Sequence, residues 1–427
     1  MSGGEHRADV ALLQRAFARA VEAAQPRECL RRALSTIAQP GPALVIGAGK
    51  AAAAMAATFA AEWPAPARGL VVTRYEHGLR HGEQTGRIEV IEAGHPSPDS
   101  ASLAAGARLL ELARTAGADE QIYWLVSGGG SSLAAAPLAP LTFEQKRDAA
   151  NYLMRAGADI RAINCVRKHL SGLKGGRLAS AARPHAITTF AISDVPGDDI
   201  AAIASGPTIA DPTTQTEARA ILEHYAYPDL GTLAVVLSNP GSETPKPGDP
   251  SFAADRAELI ATGATALAGA RRLLEERGYA VLDLGDALDD EASTLGRAHA
   301  ELARRHAASG HPVAILSGGE TRVVLRKNGG RGGRNLEYLA GLALGLEGAP
   351  NIVALAADTD GIDGNGGHAG GIVTPGVIEL GHRRGVALDE CLAANDCYRF
   401  FDACDALIKT GPTRTNVNDF RLILCHP

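Results

Sequence analysis

The sequence lacks three features that would each point to a particular class of protein. It has no surplus of basic residues, since 42 Lys and Arg stand against 48 Asp and Glu for a formal net charge of −6, whereas nucleic acids and anionic membranes are bound by clustered basic surfaces. It has no apolar run close to the roughly 18 residues of a membrane helix, and its N-terminus shows no secretory pattern. We therefore expect a cytoplasmic protein that acts on small molecules and binds neither nucleic acid nor membrane. The oligomeric state stays open, a homodimer being one option.

Cysteine and aromatic residues are also scarce. The six cysteines form no C-x-x-C pair and no zinc-type spacing, so we expect reduced and mostly buried thiols. Aromatic residues make up 4% of the chain, whereas glycine occurs 49 times, which suits an enzyme whose loops approach a ligand through their backbone. A length of 427 residues exceeds what one hydrophobic core usually serves.

Apolar runs typical of strands alternate with helical stretches along the chain. Residues 42–63 predict a buried strand, a glycine turn and an alanine-rich helix, and residues 68–73 predict the next strand. This alternation predicts an α/β fold whose sheets are largely parallel and whose ligands lie at the carboxyl ends of strands. The short apolar runs Leu233–Leu237 and Val323–Leu325 are predicted as strands on the same basis.

A polar, proline-rich segment at 238–252 interrupts this pattern. Such a composition between two structured halves is typical of a linker. We therefore predict two α/β domains, one formed by residues 1–245 and the other by residues 246–427.

The glycine turn GAGKAA at 47–52 has two interpretations. Its spacing lets a backbone approach a pyrophosphate, as in dinucleotide-binding folds. An NAD site would need an acidic residue about 20 positions later, where the sequence has Thr73 and Arg74; Arg74 leaves an NADP-dependent reductase open. Lys50 instead places a positive charge in the turn, which suits the transfer of a phosphoryl group.

Two later segments share the pattern of a strand followed by Ser-Gly-Gly. The first, SGGGSS at 127–132, offers consecutive backbone N–H groups and, after the glycines, the hydroxyl groups of two further serines, a combination that binds anions. It lacks the spacing of a Walker A motif, and a simple turn is the alternative. The second is SGGE at 317–320.

Basic residues and one carboxylate follow the first of these loops. The segment 164–179 contains Arg167 and Lys174, and it predicts either an anion clamp or a solvated helix face. Asp194 directly follows an apolar strand, at the position where ligands and metals are bound in such folds. It is our candidate for a general base or a magnesium ligand.

The second half of the chain has its own charged loops. Arg331 and Arg334 lie among four glycines just before a helical run, so their guanidinium groups and the helix N-terminus would converge on an anion. Asp358 and Asp360 follow another buried strand. Proteins often hold Mg²⁺ by one or two carboxylates together with substrate phosphates, and this pair fits that pattern.

Taken together, these motifs resemble the ATP-dependent glycerate 2-kinases whose C-terminal half is a MOFRL domain. The resemblance runs from about residue 12 to residue 424 and rests on VIGAGKAA, VSGGGSSL, NCVRKHLSGLKGGRLA, SDVPGDDIAAIASGPT, LSGGETRVVLRKNGGRGGRN, AADTDGIDGNGG and TGPTRTNVNDFRLIL. It implies phosphorylation of D-glycerate at its 2-hydroxyl with ATP and a divalent metal. It also implies a Rossmann-like N-terminal domain, a smaller α/β MOFRL domain and an active site in the cleft between them.

The resemblance further implies catalytic roles for a lysine in the first glycine turn and an arginine in the second domain, which match Lys50 and Arg334. We add Asp194 as a third catalytic candidate, and Asp194, Asp358 and Asp360 as ligands of Mg²⁺. An NAD(P)H-dependent hydroxypyruvate reductase and a non-catalytic sensor of an anionic metabolite are the alternatives. The candidate nucleotide- or phosphate-binding residues are Gly47, Gly49, Ser127, Gly128, Gly129, Gly130, Ser131, Lys174, Gly318, Gly319 and Arg331.

Overall fold

The computed structural model describes residues 3–326, 329–365 and 367–427. The chain forms two compact α/β units. The first unit is Cys29–Ile260, and the second unit combines Met1–Glu28 with Ala261–Pro427. Within the described residues, no helix has the length and apolar character needed to cross a membrane. All six cysteines are buried, as expected.

The first unit is built on a six-stranded sheet with the strand order β3-β2-β1-β4-β5-β6. The pairs among its first five strands are parallel, which confirms the largely parallel, Rossmann-like sheet. The strands are β1 Ala43–Ala48, β2 Ala67–Arg74, β3 Arg87–Ala93, β4 Gln121–Val126, β5 Ile187–Ile192 and β6 Arg256–Ala261. Its helices are α2 Pro26–Leu34, which contains the division between the units, α3 Ala52–Glu62, α4 Ser100–Arg114, α5 Gly130–Leu133, α6 Phe143–Arg155, α7 Ile160–His169, α8 Arg177–Ala181, α9 Gln215–His224 and α10 Gly231–Leu237.

The strand order reverses between β1 and β4, because the chain first adds β2 and β3 on one side and then returns to the other. In open parallel sheets the loops at such a reversal diverge and leave a crevice at the carboxyl ends of the strands. The two loops that leave these strands are the glycine turn at 47–52 and the loop SGGGSS at 127–132. The fold therefore places both predicted motifs at its ligand-binding edge.

The second unit has a mixed sheet with the order β11-β10-β9-β12-β8-β7. The last strand lies between β8 and β9 and runs antiparallel to both, so the ends of three strands with different chain directions meet at one edge. The strands are β7 Ala280–Asp283, β8 Val313–Gly319, β9 Ile352–Asp358, β10 Gly370–Val373, β11 Leu407–Ile408 and β12 Asp419–Cys425. The helices are α1 Gly3–Ala23, α11 Gly263–Glu276, α12 Ala292–Ala307, α13 Arg334–Leu346, α14 Val377–Arg383, α15 Leu388–Ala393 and α16 Cys397–Ala403.

Helices α12 and α13 of the second unit pack directly on each other because each carries a glycine where they meet. A Cβ on Gly296 would overlap the carbonyl oxygen of Tyr338, and a Cβ on Gly341 would overlap that of Ser293. Only residues without a side chain permit such close approach of two backbones. This contact fixes the position of α13, whose first residue is Arg334.

The division between the units differs from the predicted boundary at residue 245. Segment 238–252, predicted as a linker, is bonded into the first unit: Oε1 of Glu243 lies 3.0 Å from Nε2 of His169 and accepts a hydrogen bond of 2.6 Å from Nζ of Lys246. Helix α1 in turn belongs to the second unit. As the boundary between family domains, residue 245 stays a prediction.

Two strand predictions are wrong. Leu233–Leu237 lies in helix α10, and residues 323–325 form no strand. A short apolar run has the same pattern in a buried helix as in a buried strand, so periodicity alone does not separate the two. In α10, Leu233, Val236 and Leu237 are buried, which is the i, i+3, i+4 spacing of a helix face.

Candidate functional site

The glycine turn after β1 packs closely on β4. A Cβ on Gly47 would lie 2.5 Å from the carbonyl oxygen of Leu125, and a Cβ on Gly49 would overlap the side chain of Ser127. Gly49 also has a φ of +148°, which other residues rarely adopt. Both glycines are therefore required by the approach of two neighbouring strands, whether or not a phosphate is present.

The backbone N–H groups of this turn are engaged inside the protein. Lys50 donates to the carbonyl oxygen of Gly128 at 2.9 Å, Ala51 donates to Oγ of Ser127 at 2.9 Å, and Gly49 donates to a carbonyl of β2 at 3.1 Å. A dinucleotide fold needs such amides to hold the pyrophosphate. Here the turn presents a lysine side chain rather than a set of amides.

The loop that follows β4 has the opposite character. Within the described residues, the backbone N–H groups of Gly128 and Gly129 make no hydrogen bond to the protein. Gly129 adopts a left-handed conformation with a φ of +82°, and successive N–H groups around such a residue form a concave anion site. A Cβ on Gly129 would lie 3.5 Å from Cγ of Lys50 and 2.9 Å from Nε2 of His95, so both side chains border the loop.

Asp194 lies directly against the same loop. It follows β5, the neighbour of β4 in the sheet, and a Cβ on Gly128 would overlap its carboxylate. A Cβ on Gly130 would lie 2.8 Å from the carbonyl oxygen of Ala48. The structure thus brings Lys50, Asp194 and the glycine loop together at the carboxyl ends of three adjacent strands.

Ser131, the next residue of the loop, is contacted by the partly buried Arg167 and the buried Lys174. Its Oγ accepts hydrogen bonds of 2.6 Å from Nη2 of Arg167 and from Nζ of Lys174. Lys174 also donates to the carbonyl oxygen of Ser131 at 2.7 Å. The Oγ atoms of Ser131 and Ser205 lie 3.0 Å apart.

Lys146 of α6 lies near enough to Arg167 and Lys174 for their charges to interact. Its side chain is 9% exposed, and its Nζ has no hydrogen-bond partner among the described residues. Burial and the nearby charges of Arg167 and Arg177 lower the pKa of Lys146 to about 7. Burial and the charges of Arg167 and Lys146 likewise lower the pKa of Lys174 well below its ordinary value. We call Lys146, Arg167 and Lys174, with the serine between them, the Ser131 cluster.

The second unit has a site of the opposite charge, centred on Arg334. Its Nη1 donates to Glu320 at 2.7 Å, its Nη2 to Asp358 at 2.8 Å and its Nε to Asp419 at 2.7 Å. Burial alone would lower the pKa of Arg334, but the three carboxylates raise it above its ordinary value. The guanidinium is thus bonded on all sides to carboxylates, which come from the ends of β8, β9 and β12.

Further polar groups surround this cluster. Asp419 also accepts hydrogen bonds of 2.7 Å from Nδ2 of Asn335 and 2.6 Å from Nη2 of Arg421. Asp363 accepts the backbone N–H groups of Asn335 and Leu336, both at 3.2 Å, which caps the first turn of α13. Burial and the charge of Asp419 raise the pKa of Asp363 to about 7.

The carboxylates fit Mg²⁺ only as partial ligands. Asp358 accepts the backbone N–H of Asp360 at 2.9 Å and the Arg334 guanidinium with its other oxygen, while Asp360 accepts the backbone N–H of Ile362 at 2.8 Å. Among the described residues, no three His, Cys, Asp or Glu side chains group as a metal site. Mg²⁺ often takes only one or two carboxylates and completes its octahedron with phosphate and water. The carboxylates of Asp358 and Asp360 suit this partial coordination and not a site in which the protein supplies every ligand.

In the second unit, Gly318, Gly319 and Arg331, which the sequence predicts to bind nucleotide or phosphate, make contacts within the protein instead. Gly318 donates to the carbonyl oxygen of Gly285 at 2.8 Å and accepts from Nη1 of Arg421 at 2.8 Å, and a Cβ on Gly319 would overlap the backbone of Leu288. These glycines serve the packing of the sheet edge. Arg331 is exposed, and its guanidinium lies 4.0 Å from the centre of the Tyr398 ring.

Sequence reasoning missed several members of both sites. Glu320 was available as the charged residue directly after the second Ser-Gly-Gly, and Lys146 gave no signal because it lies in an ordinary amphipathic helix. Neither residue is close in sequence to its partners. Their roles follow only from the tertiary arrangement.

Comparison with known proteins places the chain in a family. A family model described as "Domain of unknown function (DUF4147)" matches residues 12–235, and the model of the MOFRL family matches residues 313–419. The chain belongs to the DUF4147–MOFRL family. This confirms the resemblance predicted from the motifs.

Relatives in the DUF4147–MOFRL family carry two kinds of name. A protein of Agrobacterium vitis named "Putative hydroxypyruvate reductase" is 44% identical over 97% of this chain and 94% of its own length. The D-glycerate 2-kinase of Thermotoga maritima is 35% identical over 88% of this chain and 89% of its own length. The crystal structure of a glycerate kinase from Thermotoga maritima superposes with a TM-score of 0.88 and 33% identity, covering 99% of this chain and 100% of that one.

Proposed function

We propose that this member of the DUF4147–MOFRL family is an ATP-dependent glycerate 2-kinase, which phosphorylates the 2-hydroxyl of D-glycerate to give 2-phosphoglycerate and ADP. One observation of the structure carries the proposal. At the reversal point of the first sheet, a loop with two open amides, those of Gly128 and Gly129, is bordered by Lys50 and touched by Asp194. The names of the family members that are glycerate kinases support the same reaction.

Phosphoryl transfer asks mainly for positioning and for positive charge around the transferred group. Lys50 and the amides of Gly128 and Gly129 supply donors for phosphate oxygens at one place. In our proposal they stabilise the charge on the phosphoryl group as it leaves the β-phosphate of ATP. Such preorganised donors are the largest single source of rate enhancement in many enzymes.

Asp194 is the candidate for the general base. In our proposal its carboxylate accepts the proton of the 2-hydroxyl as that oxygen forms a bond to the γ-phosphorus. The bond between the γ-phosphorus and the bridging oxygen breaks, and the electron pair leaves with ADP. A carboxylate against the glycine loop is well placed for this step, because the loop holds the phosphate that is attacked.

Three carboxylates are our candidates for holding Mg²⁺. Mg²⁺, when bound, would neutralise charge on phosphate oxygens, and we propose Asp358, Asp360 and Asp194 as its candidate ligands. Arg334 holds Asp358 directly at 2.8 Å. Its catalytic role stays a prediction, and the contacts support a role in positioning the metal ligands.

The reductase named among the relatives is the second candidate. The amides of the glycine turn are occupied by Gly128 and Ser127, and β2 ends in Thr73 and Arg74 rather than in an acid. Both features oppose an NAD site. The two functions are separated by one assay.

That assay supplies D-glycerate, ATP and Mg²⁺ to the purified protein, follows ADP release and passes the product to enolase, which accepts 2-phosphoglycerate directly. ADP release with immediate conversion by enolase is the expected result. ADP release without conversion would place the phosphate at another hydroxyl. Oxidation of NADH or NADPH on adding hydroxypyruvate, without ADP release from glycerate, would establish the reductase instead. The cytoplasmic location, the cleft between the domains and a homodimer remain predictions.

A further inference from the structure

We infer that the Ser131 cluster binds the carboxylate of the acceptor substrate and thereby selects small hydroxy acids over neutral polyols. The inference rests on the proposed kinase function. It assigns to Lys146, Arg167 and Lys174 a ligand distinct from the phosphate that we assign to the glycine loop.

The first argument is the arrangement of charge. Arg167 and Lys174 converge on one hydroxyl oxygen, at 2.6 Å each, and Lys174 is 1% exposed. Among the described residues, none of the three cations of the Ser131 cluster forms an ion pair with a carboxylate. The acidic groups nearby are used by others: Asp211 by Lys168 at 3.2 Å, and Glu243 by Lys246 at 2.6 Å.

The second argument is energetic. A buried charge without a partner costs several kcal/mol, so buried charges in proteins are paired or bind ions. Like charges near one another increase this cost. The free protein relieves this cost in part by the lowered pKa values of Lys146 and Lys174, and an anion from outside the protein would stabilise the charged forms of both lysines and of Arg167. The Nζ of Lys146, which has no hydrogen-bond partner among the described residues, marks where a further donor is available.

The third argument separates the two anions of the reaction. ATP phosphates enter with a divalent cation, and cations without an acidic neighbour repel that ion. A carboxylate brings no metal, and an arginine fork with lysines matches its two oxygens. Asp194, the acidic residue of this region that could share a metal, lies at Gly128, on the other part of the loop. The loop thus has a phosphate part at Gly128 and Gly129 and a carboxylate part at Ser131.

The cluster predicts a proton change on binding. The charged groups that face Lys146 are Arg167 from α7, Arg177 from α8 and Lys174 from the segment between them, with Asp211 and Glu243 adjacent to Arg177. With a pKa of about 7, Lys146 is largely neutral at pH 8 in the free protein. A bound carboxylate favours the charged form, so D-glycerate should bind together with a proton at pH 8.

The test compares the wild type with Lys146→Met and Arg167→Met in the kinase assay, and then by titration calorimetry. The control is Arg147→Met, which removes an exposed cation from the next position of the same helix. We expect KM for D-glycerate to rise at least tenfold in both cluster variants, with KM for ATP within about twofold of the wild type and the control unchanged. In calorimetry at pH 8, in two buffers of different ionisation enthalpy, proton uptake on glycerate binding should disappear in Lys146→Met. Glycerol should neither be phosphorylated nor bind.

The other possible outcomes show whether the carboxylate site or the proposed kinase function is wrong. An unchanged KM for D-glycerate in both cluster variants would overturn the inference and leave the kinase function intact. A loss of affinity for ATP or inorganic phosphate with normal affinity for D-glycerate would assign the cluster to phosphate. If the wild type lacks kinase activity but binds D-glycerate with proton uptake that Lys146→Met abolishes, the proposed function fails and the carboxylate site stands. Should Lys146→Met fail to fold, Arg167→Lys, which keeps the charge but removes the fork, gives the same comparison of KM values.

Discussion

The two Ser-Gly-Gly segments have nearly the same sequence and different structural roles. After β4, Gly128 and Gly129 present open N–H groups. After β8, Gly318 bonds to Gly285 and Arg421, and Gly319 packs against Leu288. A glycine pair at the end of a strand therefore indicates close backbone approach, and the neighbouring strand decides whether a ligand or the protein itself makes that approach.

The charges around the two segments are also opposite. The Ser131 cluster contains three cations without a paired carboxylate among the described residues, whereas Arg334 is surrounded by Glu320, Asp358 and Asp419. An excess of cations favours the binding of anions, and an excess of carboxylates favours the binding of a metal ion. We therefore propose that the first region binds anions and the second a metal ion.

The largest expected effect in this comparison comes from Lys50. In Lys50→Met the open amides remain but the charge that borders them is lost, so we expect kcat to fall by about 10³-fold, which corresponds to about 4 kcal/mol. The unfolding midpoint should stay within a few degrees, because Lys50 is only partly buried. A kcat within tenfold of the wild type would show that the phosphate is held elsewhere.

The second prediction concerns Arg334 and the three carboxylates to which it donates hydrogen bonds. Removing the guanidinium in Arg334→Met leaves three carboxylates without their common partner, and we expect the free energy of unfolding to fall by about 3 kcal/mol. Added Mg²⁺ should restore more of this loss than it adds to the wild type, because a cation can replace the guanidinium. Arg331→Met is the control: its exposed guanidinium lies 4.0 Å from the centre of the Tyr398 ring, so a loss of about 0.5–1 kcal/mol is expected. Chemical denaturation with and without Mg²⁺ measures both. An Mg²⁺ response equal to that of the wild type would argue against a metal at this site.

Much of the first site could be predicted from sequence because its information is local. The pattern of an apolar run, a glycine turn and an alanine-rich run predicts strand β1 and helix α3, with Lys50 in the turn between them. Parallel strands present their carboxyl ends at one edge of the sheet, and this rule predicts that Asp194 lies near the glycine loop. The roles of Gly47 and Gly49 could not be predicted. Their spacing is the same whether the backbone approaches a phosphate or, as here, the strand β4.

The second site is less predictable because its members meet only through long-range pairing. Glu320, Asp358 and Asp419 become neighbours since β12 inserts between β8 and β9, and nothing local in the sequence specifies that order. The same limit explains why α10 was predicted as a strand: the run Leu233–Leu237 is too short for its period to be decided without its packing.

Paired alanine substitutions test the two glycine segments directly. In Gly128→Ala the new Cβ would overlap the carboxylate of Asp194 and must displace it, so we expect kcat/KM to fall by about 100-fold, or about 2.7 kcal/mol. In Gly318→Ala the new Cβ would lie 3.2 Å from Cα of Asp286 and from the carbonyl oxygen of Asp419. That is tight but tolerable, and we expect activity within about threefold together with a small loss of stability. Equal losses of activity in the two variants would mean that both segments bind substrate.

Taken per pH unit, the smallest predicted effect is the pH dependence of stability that Lys146 introduces. Its pKa falls from 10.5 to about 7 on folding, so between these pH values the unfolded chain binds more protons and the free energy of unfolding rises with pH. One such group contributes at most about 1.4 kcal/mol per pH unit. Below pH 7 both states are protonated and the contribution to the slope vanishes.

Lys146→Met should remove that slope, while Lys174, whose pKa is also lowered, keeps its own contribution in both proteins. The stability of the variant relative to the wild type should therefore be greatest near pH 7 and shrink toward pH 9. Arg147→Met should run parallel to the wild type throughout. Urea denaturation in half-unit pH steps measures the three curves, and parallel curves for the wild type and Lys146→Met would show that this lysine keeps its ordinary affinity for protons. In that case the protein itself would already compensate the positive charge of the Ser131 cluster, and that charge would no longer be an argument for an external carboxylate.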